Sequence, residues 1–187
     1  IASAAGMPYA DVLKERVLDP AGLQDTMFSL PEGAAVRLMQ GHDPDGQPIP
    51  DTMSSPMNQG SGSLISTPND ILKWLGWHMD RLAKADAEMR LLDHAAYLQR
   101  DGLNPVFGLD EAAPMDAMGL GWVIMAPEGS RPLIMNKSGG FEGTFTYVAF
   151  APTRGVGVFV AMNQFNFGAF RDMANMANDL IEQLAPR

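Results

Sequence analysis

Apolar residues recur at a spacing of three or four in several parts of the chain, a pattern that predicts amphipathic helices. The first predicted helix begins at Pro8 and ends before Pro20. The second has Thr67 as its N-cap and Pro68 in its first turn, and Asp70 is placed to return a hydrogen bond as in a capping box. Its predicted apolar stripe consists of Ile71, Leu72, Leu75, Met79 and Leu82.

Two further helices are predicted toward the C-terminal side, one over residues 87–99 and one over residues 167–184. The last helix is expected to pack on one face of a sheet. Its predicted apolar stripe consists of Phe170, Met173, Ala177, Leu180, Ile181 and Leu184. Residues 29–60 are rich in Pro, Gly, Asp and Ser, which predicts a long surface excursion with a short hairpin around Asp45-Gly46.

From Gly119 onward the pattern changes to short apolar or alternating runs, separated by Pro, Gly or charged turns. The runs are GLGWVIMAP, RPLIMNK, FTYVAFAP and GVGVFVAMN. Their regular spacing predicts three or four antiparallel strands in a meander. The predicted class is α/β of the α+β kind. A mainly helical lobe is expected over residues 1–115, and antiparallel strands with a C-terminal helix over residues 116–187.

The composition excludes several function classes. Of the 187 residues, 46% are hydrophobic and 19% are charged, which is typical of a globular chain. The formal net charge is −9 and the basic residues are scattered singly, which argues against binding to nucleic acid or to an anionic membrane. No apolar run approaches the roughly 20 residues that span a bilayer, so no transmembrane segment is expected.

Cysteine and histidine usage indicates neither a metal nor a cofactor. The chain has no cysteine, which excludes a disulfide framework, a thiol nucleophile and a zinc–thiolate site. His42, His78 and His94 show no ligand-like spacing, so no metal site is expected, and His78 is interpreted as an ordinary interface or surface histidine. The absence of cysteine fits the bacterial periplasm and many cytosolic proteins alike.

The first residues, IASAAGMPYADVL, contain neither an initiator Met nor a charged-then-apolar signal region. Residues 1–5 have the pattern of the end of a helix that is closed by Gly6. We therefore expect this chain to be the C-terminal part of a longer protein.

The candidate chemistry lies in IMNKSGGF, where Lys137-Ser138-Gly139 ends an apolar strand before a glycine-rich turn. A fixed ammonium at Lys137 favours deprotonated neighbouring groups. The hydroxyl of Ser138 can hydrogen-bond a substrate carboxylate, and Gly139 lets a substrate backbone approach closely. The backbone N–H of Gly140 can donate to a developing oxyanion. The K-[S/T]-G tripeptide is a weak signal by itself, so the surrounding sequence decides its meaning.

Three stretches of the chain resemble the class C β-lactamase-like serine hydrolases and penicillin-binding proteins, which combine K-[S/T]-G with S-x-x-K and a second motif. The stretches are GMPYADVLKERVLDPAGLQDTMF, GSGSLISTPNDILKWL and the block over residues 119–160. The last block is similar to the AmpH-type D-alanyl-D-alanine carboxypeptidase/endopeptidase branch. The resemblance covers nearly the whole chain and implies the serine β-lactamase/DD-peptidase fold. It also adds Asn163, which follows the last strand, as a substrate-binding residue.

Two motifs that such enzymes carry are missing from this sequence. No serine has Lys three residues later, and none of Tyr9, Tyr97 and Tyr147 has Asn two residues later. In the family, the nucleophilic serine, its lysine and the catalytic tyrosine precede the region that matches. The resemblance therefore implies that Lys137, Ser138 and Gly140 form one wall of the site. An N-terminal segment or a companion chain would carry the nucleophile.

The implied substrates are D-Ala-D-Ala peptides of peptidoglycan, β-lactams or small esters, and the expected location is the periplasm, with any signal sequence upstream. Two other classes remain open, namely a promiscuous short-acyl esterase on the same fold and a non-catalytic peptidoglycan- or β-lactam-binding module. Lys137 as a solvated turn lysine also remains open. Ser138 as the nucleophile is disfavoured, because no G-x-S-x-G elbow surrounds it and no His lies nearby in sequence.

Overall fold

The computed structural model describes residues 1–50, 59–106 and 108–187. The helices are α1 (Ala2–Ala5), α2 (Tyr9–Leu13), α3 (Pro68–Met79), α4 (Ala87–His94) and α5 (Phe167–Leu184). Helix α2 continues into a π-helical turn (Lys14–Leu18), and short 3-10 turns occur at Ala34–Arg37 and Arg100–Gly102. The strands are β1 (Leu98–Gln99), β2 (Ala117–Met118), β3 (Val123–Met125), β4 (Ile134–Phe141), β5 (Thr144–Ala151) and β6 (Val156–Met162).

The six strands form one antiparallel sheet in the order in which they occur along the chain. The predicted meander is therefore confirmed, and two short strands, β1 and β2, extend it. Because β1 begins at Leu98, the sheet includes residues that precede the predicted division between 115 and 116. That division into two lobes stays a prediction.

Helix α5 packs on one face of the sheet and α3 on the other. Tyr147 and Ile181 belong to the buried cluster on the α5 face. Leu75 and Phe150 belong to the cluster on the α3 face. Since successive strand residues point to opposite faces, the apolar positions of β5 serve both clusters. The predicted packing of the last helix on the sheet is confirmed, but Leu180 and Leu184 of its predicted apolar stripe are exposed.

The predicted end of one helix and the predicted extent of another are wrong. The predicted helix over residues 87–99 ends at His94, because Ala95 is extended and Leu98–Gln99 pairs with β2. The stripe of α3 does not extend to Leu82, which lies beyond the end of the helix and is 94% exposed. In both places sheet pairing or the end of the helix overrides the local apolar spacing.

The N-terminus of α3 is only partly as predicted. Thr67 is the N-cap, and its Oγ1 accepts from the Asp70 N–H at 3.3 Å. The capping-box role of Asp70 is wrong, because its fully buried carboxylate accepts from Asp25 N (2.7 Å), Thr26 Oγ1 (2.9 Å) and Lys73 Nζ (2.8 Å). Burial alone would raise the pKa of this carboxyl, but the three hydrogen bonds outweigh that effect and lower the pKa.

The predicted hairpin within residues 29–60 is present. Asp43 N–H donates to Gln47 O at 2.8 Å, and Gly46 N–H donates to Asp43 O at 3.1 Å. His42 and Pro48 form an isolated antiparallel bridge beside this turn. The part of the predicted excursion over residues 51–58 lies outside the described residues. Among the described helices, none has the length and apolar character needed to cross a bilayer.

Candidate active-site wall on strand β4

Strand β4 extends beyond the strand β3 beside it, and this difference leaves an open edge. Strand β3 pairs with residues 134–136 of β4, with Val123 opposite Asn136. Strand β5 pairs with β4 as far as Phe141. Within the part of the chain that the structure describes, residues 137–141 of β4 therefore have a strand neighbour on the β5 side alone.

The backbone of Gly140 faces this open edge. The turn after β4 consists of Glu142 and Gly143, with φ of 46° and 74°, and Phe141 pairs with Thr144 to close it. In a two-residue hairpin the closing pair exchanges both backbone hydrogen bonds, and successive residues then alternate between the two edges of the strand. The N–H and C=O of Gly140 are therefore directed away from β5, to the edge that β3 leaves uncovered.

Lys137 and Ser138 lie on opposite faces of the sheet. Lys137 is exposed and pairs with Val148, which packs with the cluster on the α3 face. Ser138 is half-buried and pairs with Tyr147, which belongs to the cluster on the α5 face. The Lys137 Nζ donates to the backbone oxygen of Ser138 at 2.7 Å. The structure thus brings the ammonium close to the open backbone edge, and alternation directs the serine hydroxyl to the other face.

Both glycines of the motif are required by the packing of β4 on β5. A Cβ added at Gly139 would lie 2.9 Å from Thr146 Oγ1. A Cβ added at Gly140 would lie 2.7 and 2.8 Å from two ring carbons of Phe145. The sequence indicated glycine for close approach of a substrate, and the structure adds close approach of the neighbouring strand.

The β4–β5 turn is held by a segment from the long excursion. His42 N–H donates to Gly143 O at 3.3 Å. A Cβ on Gly41 would lie 1.8 Å from Glu142 O, and one on Gly143 would lie 2.5 Å from His42 N, so the two backbones are in direct contact. This docking fixes the position of the turn that follows the glycines of the motif.

Asn163 lies at the same end of the sheet, just after β6. Its neighbour Met162 pairs with Phe145, which places Asn163 two strands away from β4. Its Nδ2 donates to Gln40 O at 3.1 Å, and its backbone oxygen is 2.9 Å from His42 Nδ1. The side chain is exposed and tethers the same docked segment. Its substrate-binding role stays a prediction.

An aromatic cluster around Phe145 of β5, on the side of β4 away from the open edge, was not predicted from the sequence. The rings of Phe165 and Phe167 have centroids 5.1 and 5.3 Å from that of Phe145, whose ring lies against Gly140. Phe167 is 61% exposed. The alternating aromatic residues of QFNFGAF were the available signal. Phe145 belongs to the cluster on the α5 face, and the two rings add apolar contacts there.

Two surface depressions lie away from β4. One of about 550 Å³ and another of about 400 Å³ both include Arg100 and Asp110 in their lining. Neither is lined by residues 137–140.

The chain is similar to known proteins over almost its whole length. It is 33% identical over 195 residues to the D-alanyl-D-alanine-carboxypeptidase/endopeptidase AmpH of Escherichia coli (strain K12), covering 99% of this chain and 47% of that protein. It is 25% identical over 183 residues to a beta-lactamase of Pseudomonas fluorescens, covering 87% of this chain and 50% of that protein. The chain thus spans about half the length of the curated relatives it matches.

Solved structures agree with this similarity. The beta-lactamase/D-alanine carboxypeptidase from Yersinia pestis, complexed with citrate, matches with a TM-score of 0.84 and 34% identity, covering 98% of this chain and 51% of that chain. A class C beta lactamase from Rhodobacter sphaeroides matches with a TM-score of 0.73 at 20% identity, covering 98% and 56%, which shows the fold alone.

These matches confirm the predicted fold, the serine β-lactamase/DD-peptidase type. The family model described as Beta-lactamase matches residues 1–183. The chain therefore belongs to the Beta-lactamase family.

Proposed function

We propose that the protein containing this chain is a serine acyl-transfer hydrolase that works through an acyl-enzyme, and that residues 137–140 form one wall of its active site. Membership of the Beta-lactamase family supports the reaction class. The observation that carries the proposal is the uncovered backbone of Gly140 close to the exposed ammonium of Lys137. An N–H on a free strand edge is a suitable donor to an oxyanion.

In the proposed reaction a serine outside this chain adds through its oxygen to the substrate carbonyl carbon, and its proton passes to a base that is also outside this chain. The carbonyl oxygen gains the electron pair, and the Gly140 N–H stabilises the resulting negative charge. Collapse of this intermediate breaks the bond to the amine or alcohol, which leaves with a proton. Water then hydrolyses the acyl ester and restores the serine.

The substrate is proposed to bind along the open edge. The backbone groups of Ser138 and Gly140 share this edge, so an extended peptide can add there as a further strand. Gly139 leaves room for that approach, and Lys137 supplies a cation for the carboxylate that D-Ala-D-Ala peptides and penicillins both carry. Asn163 is proposed to contact the substrate from the end of β6.

The preferred substrates are proposed to be D-Ala-D-Ala peptides of peptidoglycan, because the protein at 33% identity is named for that activity. β-Lactams and small esters share the same carbonyl chemistry. The relatives are about twice as long as this chain, which supports an N-terminal segment of the same polypeptide, and not a companion chain, as the carrier of the nucleophile. The proposed location is the periplasm.

The test is intact-mass spectrometry of the purified full-length protein before and after incubation with a penicillin, followed by tandem mass spectrometry of its peptides to locate the modified residue. Addition of one penicilloyl group to a serine before residue 1 of this chain supports the proposal. An adduct on Ser138 would overturn the assignment of the nucleophile. A short-acyl ester adduct without a penicillin adduct would indicate the esterase, and binding without any adduct would indicate a non-catalytic module.

A further inference from the structure

A second polar cluster lies between the C-terminal ends of α3 and α4. His78 Nδ1 is 2.9 Å from His94 Nε2. Asp93 Oδ2 is 3.5 Å from His78 Nδ1 and 4.0 Å from His94 Nε2. The open wall of β4 involves none of these three residues. We propose that His78, Asp93 and His94 form a binding site for one zinc-class divalent transition-metal ion.

The distances between the three atoms suit a single ion. The circle through three points with these separations has a radius of about 2.1 Å, and Zn–N and Zn–O bonds are about 2.0–2.2 Å long. An ion near the centre of that circle is therefore within bonding distance of all three ligands. Movements of a few tenths of an ångström would bring them toward tetrahedral angles.

The surroundings orient the Asp93 carboxylate by a hydrogen bond and the His78 ring by packing, whereas His78 Nε2 is buried without a hydrogen-bond partner. The Asp93 Oδ2 accepts from Trp122 Nε1 at 2.8 Å, an outer hydrogen bond of the kind that orients ligating carboxylates. His78 is 2% exposed, and its ring packs edge-on against Trp74 at 4.5 Å and Trp122 at 5.0 Å between centroids. Asp93 and His94 are half-buried, which leaves a route for the ion from solvent.

The local charges favour a cation, with one opposing group. His78 lies in the last turn of α3 and His94 in the last turn of α4, where the helix dipole is negative. Asp93 supplies one formal negative charge. Arg90 is the opposing charge, although its guanidinium is directed to the Trp77 ring at 5.3 Å and to Ala83 O at 2.6 Å.

The donor set selects the type of ion. Two imidazoles and one carboxylate are ligands for zinc and its neighbours, whereas calcium and magnesium prefer oxygen ligands. A bound ion would join the ends of α3 and α4 and, through Trp122, the residue that precedes β3. The sequence indicated no metal because 16 positions separate the two histidines, and the helix ends bring them together.

The test is titration of the chelator-treated, dialysed full-length protein with Zn²⁺, followed by calorimetry and by elemental analysis of the bound ion. Co²⁺ in place of Zn²⁺ reports the ligands through its visible absorption spectrum. The variants His94→Gln and Asp93→Asn each remove one partly exposed ligand. His42→Gln is the matched control, because it removes a histidine that lies outside the cluster.

We expect one Zn²⁺ per chain and no competition from equimolar Mg²⁺ or Ca²⁺. Each ligand variant should weaken Zn²⁺ binding at least about 100-fold, and His42→Gln should leave the affinity unchanged. The Co²⁺ spectrum is recorded on the unchanged protein. The proposal can therefore be tested even if a ligand variant fails to fold. Absence of stoichiometric Zn²⁺ binding, or ligand variants that bind Zn²⁺ as tightly as the unchanged protein, would show that the cluster is only a hydrogen-bonded histidine pair.

Discussion

Lys73 and Lys137 are both exposed lysines, yet their surroundings differ in kind. The Lys73 Nζ donates to Asp70 Oδ1 at 2.8 Å and to Gly22 O at 2.9 Å, which joins α3 to a distant loop. The Lys137 Nζ donates to the backbone of the next residue, Ser138. The first lysine satisfies groups that folding has brought together, and the second leaves its charge free to meet a ligand.

The same contrast holds for the two regions around these lysines. At the base of α3 the buried carboxylate of Asp70 is surrounded by donors from Asp25, Thr26 and Lys73. On β4 the backbone beyond Asn136 has no pairing with β3. Polar groups that the protein satisfies contribute to stability, whereas those that it leaves open are available for binding. Substitutions in the full-length protein can separate these two roles.

The largest expected effect is at the base of α3. Asp70→Asn should lower the free energy of unfolding by about 3 kcal/mol. The amide nitrogen of asparagine would replace one of the two carboxylate oxygens that accept the buried hydrogen bonds, and it would face a donor instead of accepting from it. Urea unfolding followed by circular dichroism measures this free energy. Asp179→Asn, on the exposed face of α5, is the control and should stay within about 0.5 kcal/mol. Equal midpoints for both variants would contradict the structural role of Asp70.

The two lysines should respond in opposite ways. Lys137→Ala should slow acylation by a penicillin about 100-fold with little change in the unfolding free energy, because it removes a cation from the site and no distant contact. Lys73→Ala should leave the acylation rate unchanged. It should lower the free energy of unfolding by no more than about 1 kcal/mol, since Lys73 in the Lys73–Asp70 ion pair is half exposed. Acylation rates and urea midpoints are measured for both. An unchanged acylation rate in Lys137→Ala would favour the alternative interpretation, in which Lys137 is only a solvated lysine of a turn.

Glycine substitutions give a third matched pair. Gly140→Ala should lower the free energy of unfolding by about 1–3 kcal/mol, because the new Cβ meets the Phe145 ring. Gly76→Ala adds the same methyl group to the exposed side of α3, where nothing lies within 4 Å. Because alanine favours the helix over glycine, it should raise the free energy of unfolding by up to about 1 kcal/mol. Thermal melts compare them. If both substitutions raise the free energy of unfolding, the Phe145 ring on β5 moves to accommodate a side chain at position 140.

The smallest expected effect is a pH dependence at Asp70. Its pKa is lower in the folded protein than in the unfolded chain, so its contribution is complete above the ordinary pKa of about 3.8. That contribution should decline as the pH falls from about 4 through the folded-state pKa. The unfolding free energies of the unchanged protein and Asp70→Asn should therefore differ fully at pH 5 and converge as the pH falls below about 4. A difference that stays constant as the pH is lowered would contradict the lowered pKa.

Local sequence rules predicted much of the architecture. The spacing of apolar residues predicted α5 over residues 167–184, the bounds at which it occurs. Thr67 was recognised as an N-cap from its position before Pro68. The same rules failed where a partner lies far along the chain, as at Leu98, which joins a strand and not the preceding helix.

For the candidate site, the sequence by itself determined which residues could act and what chemistry they carry. Lys137, Ser138 and the glycines were identified from their types, their order and their resemblance to a family. Only the tertiary structure decided that β3 begins at Val123, that Lys137 and Ser138 face opposite sides, and that His78 meets His94. Spacing along a chain reports contacts within a turn or a hairpin, whereas an open strand edge or a meeting of two helix ends depends on how distant elements pack.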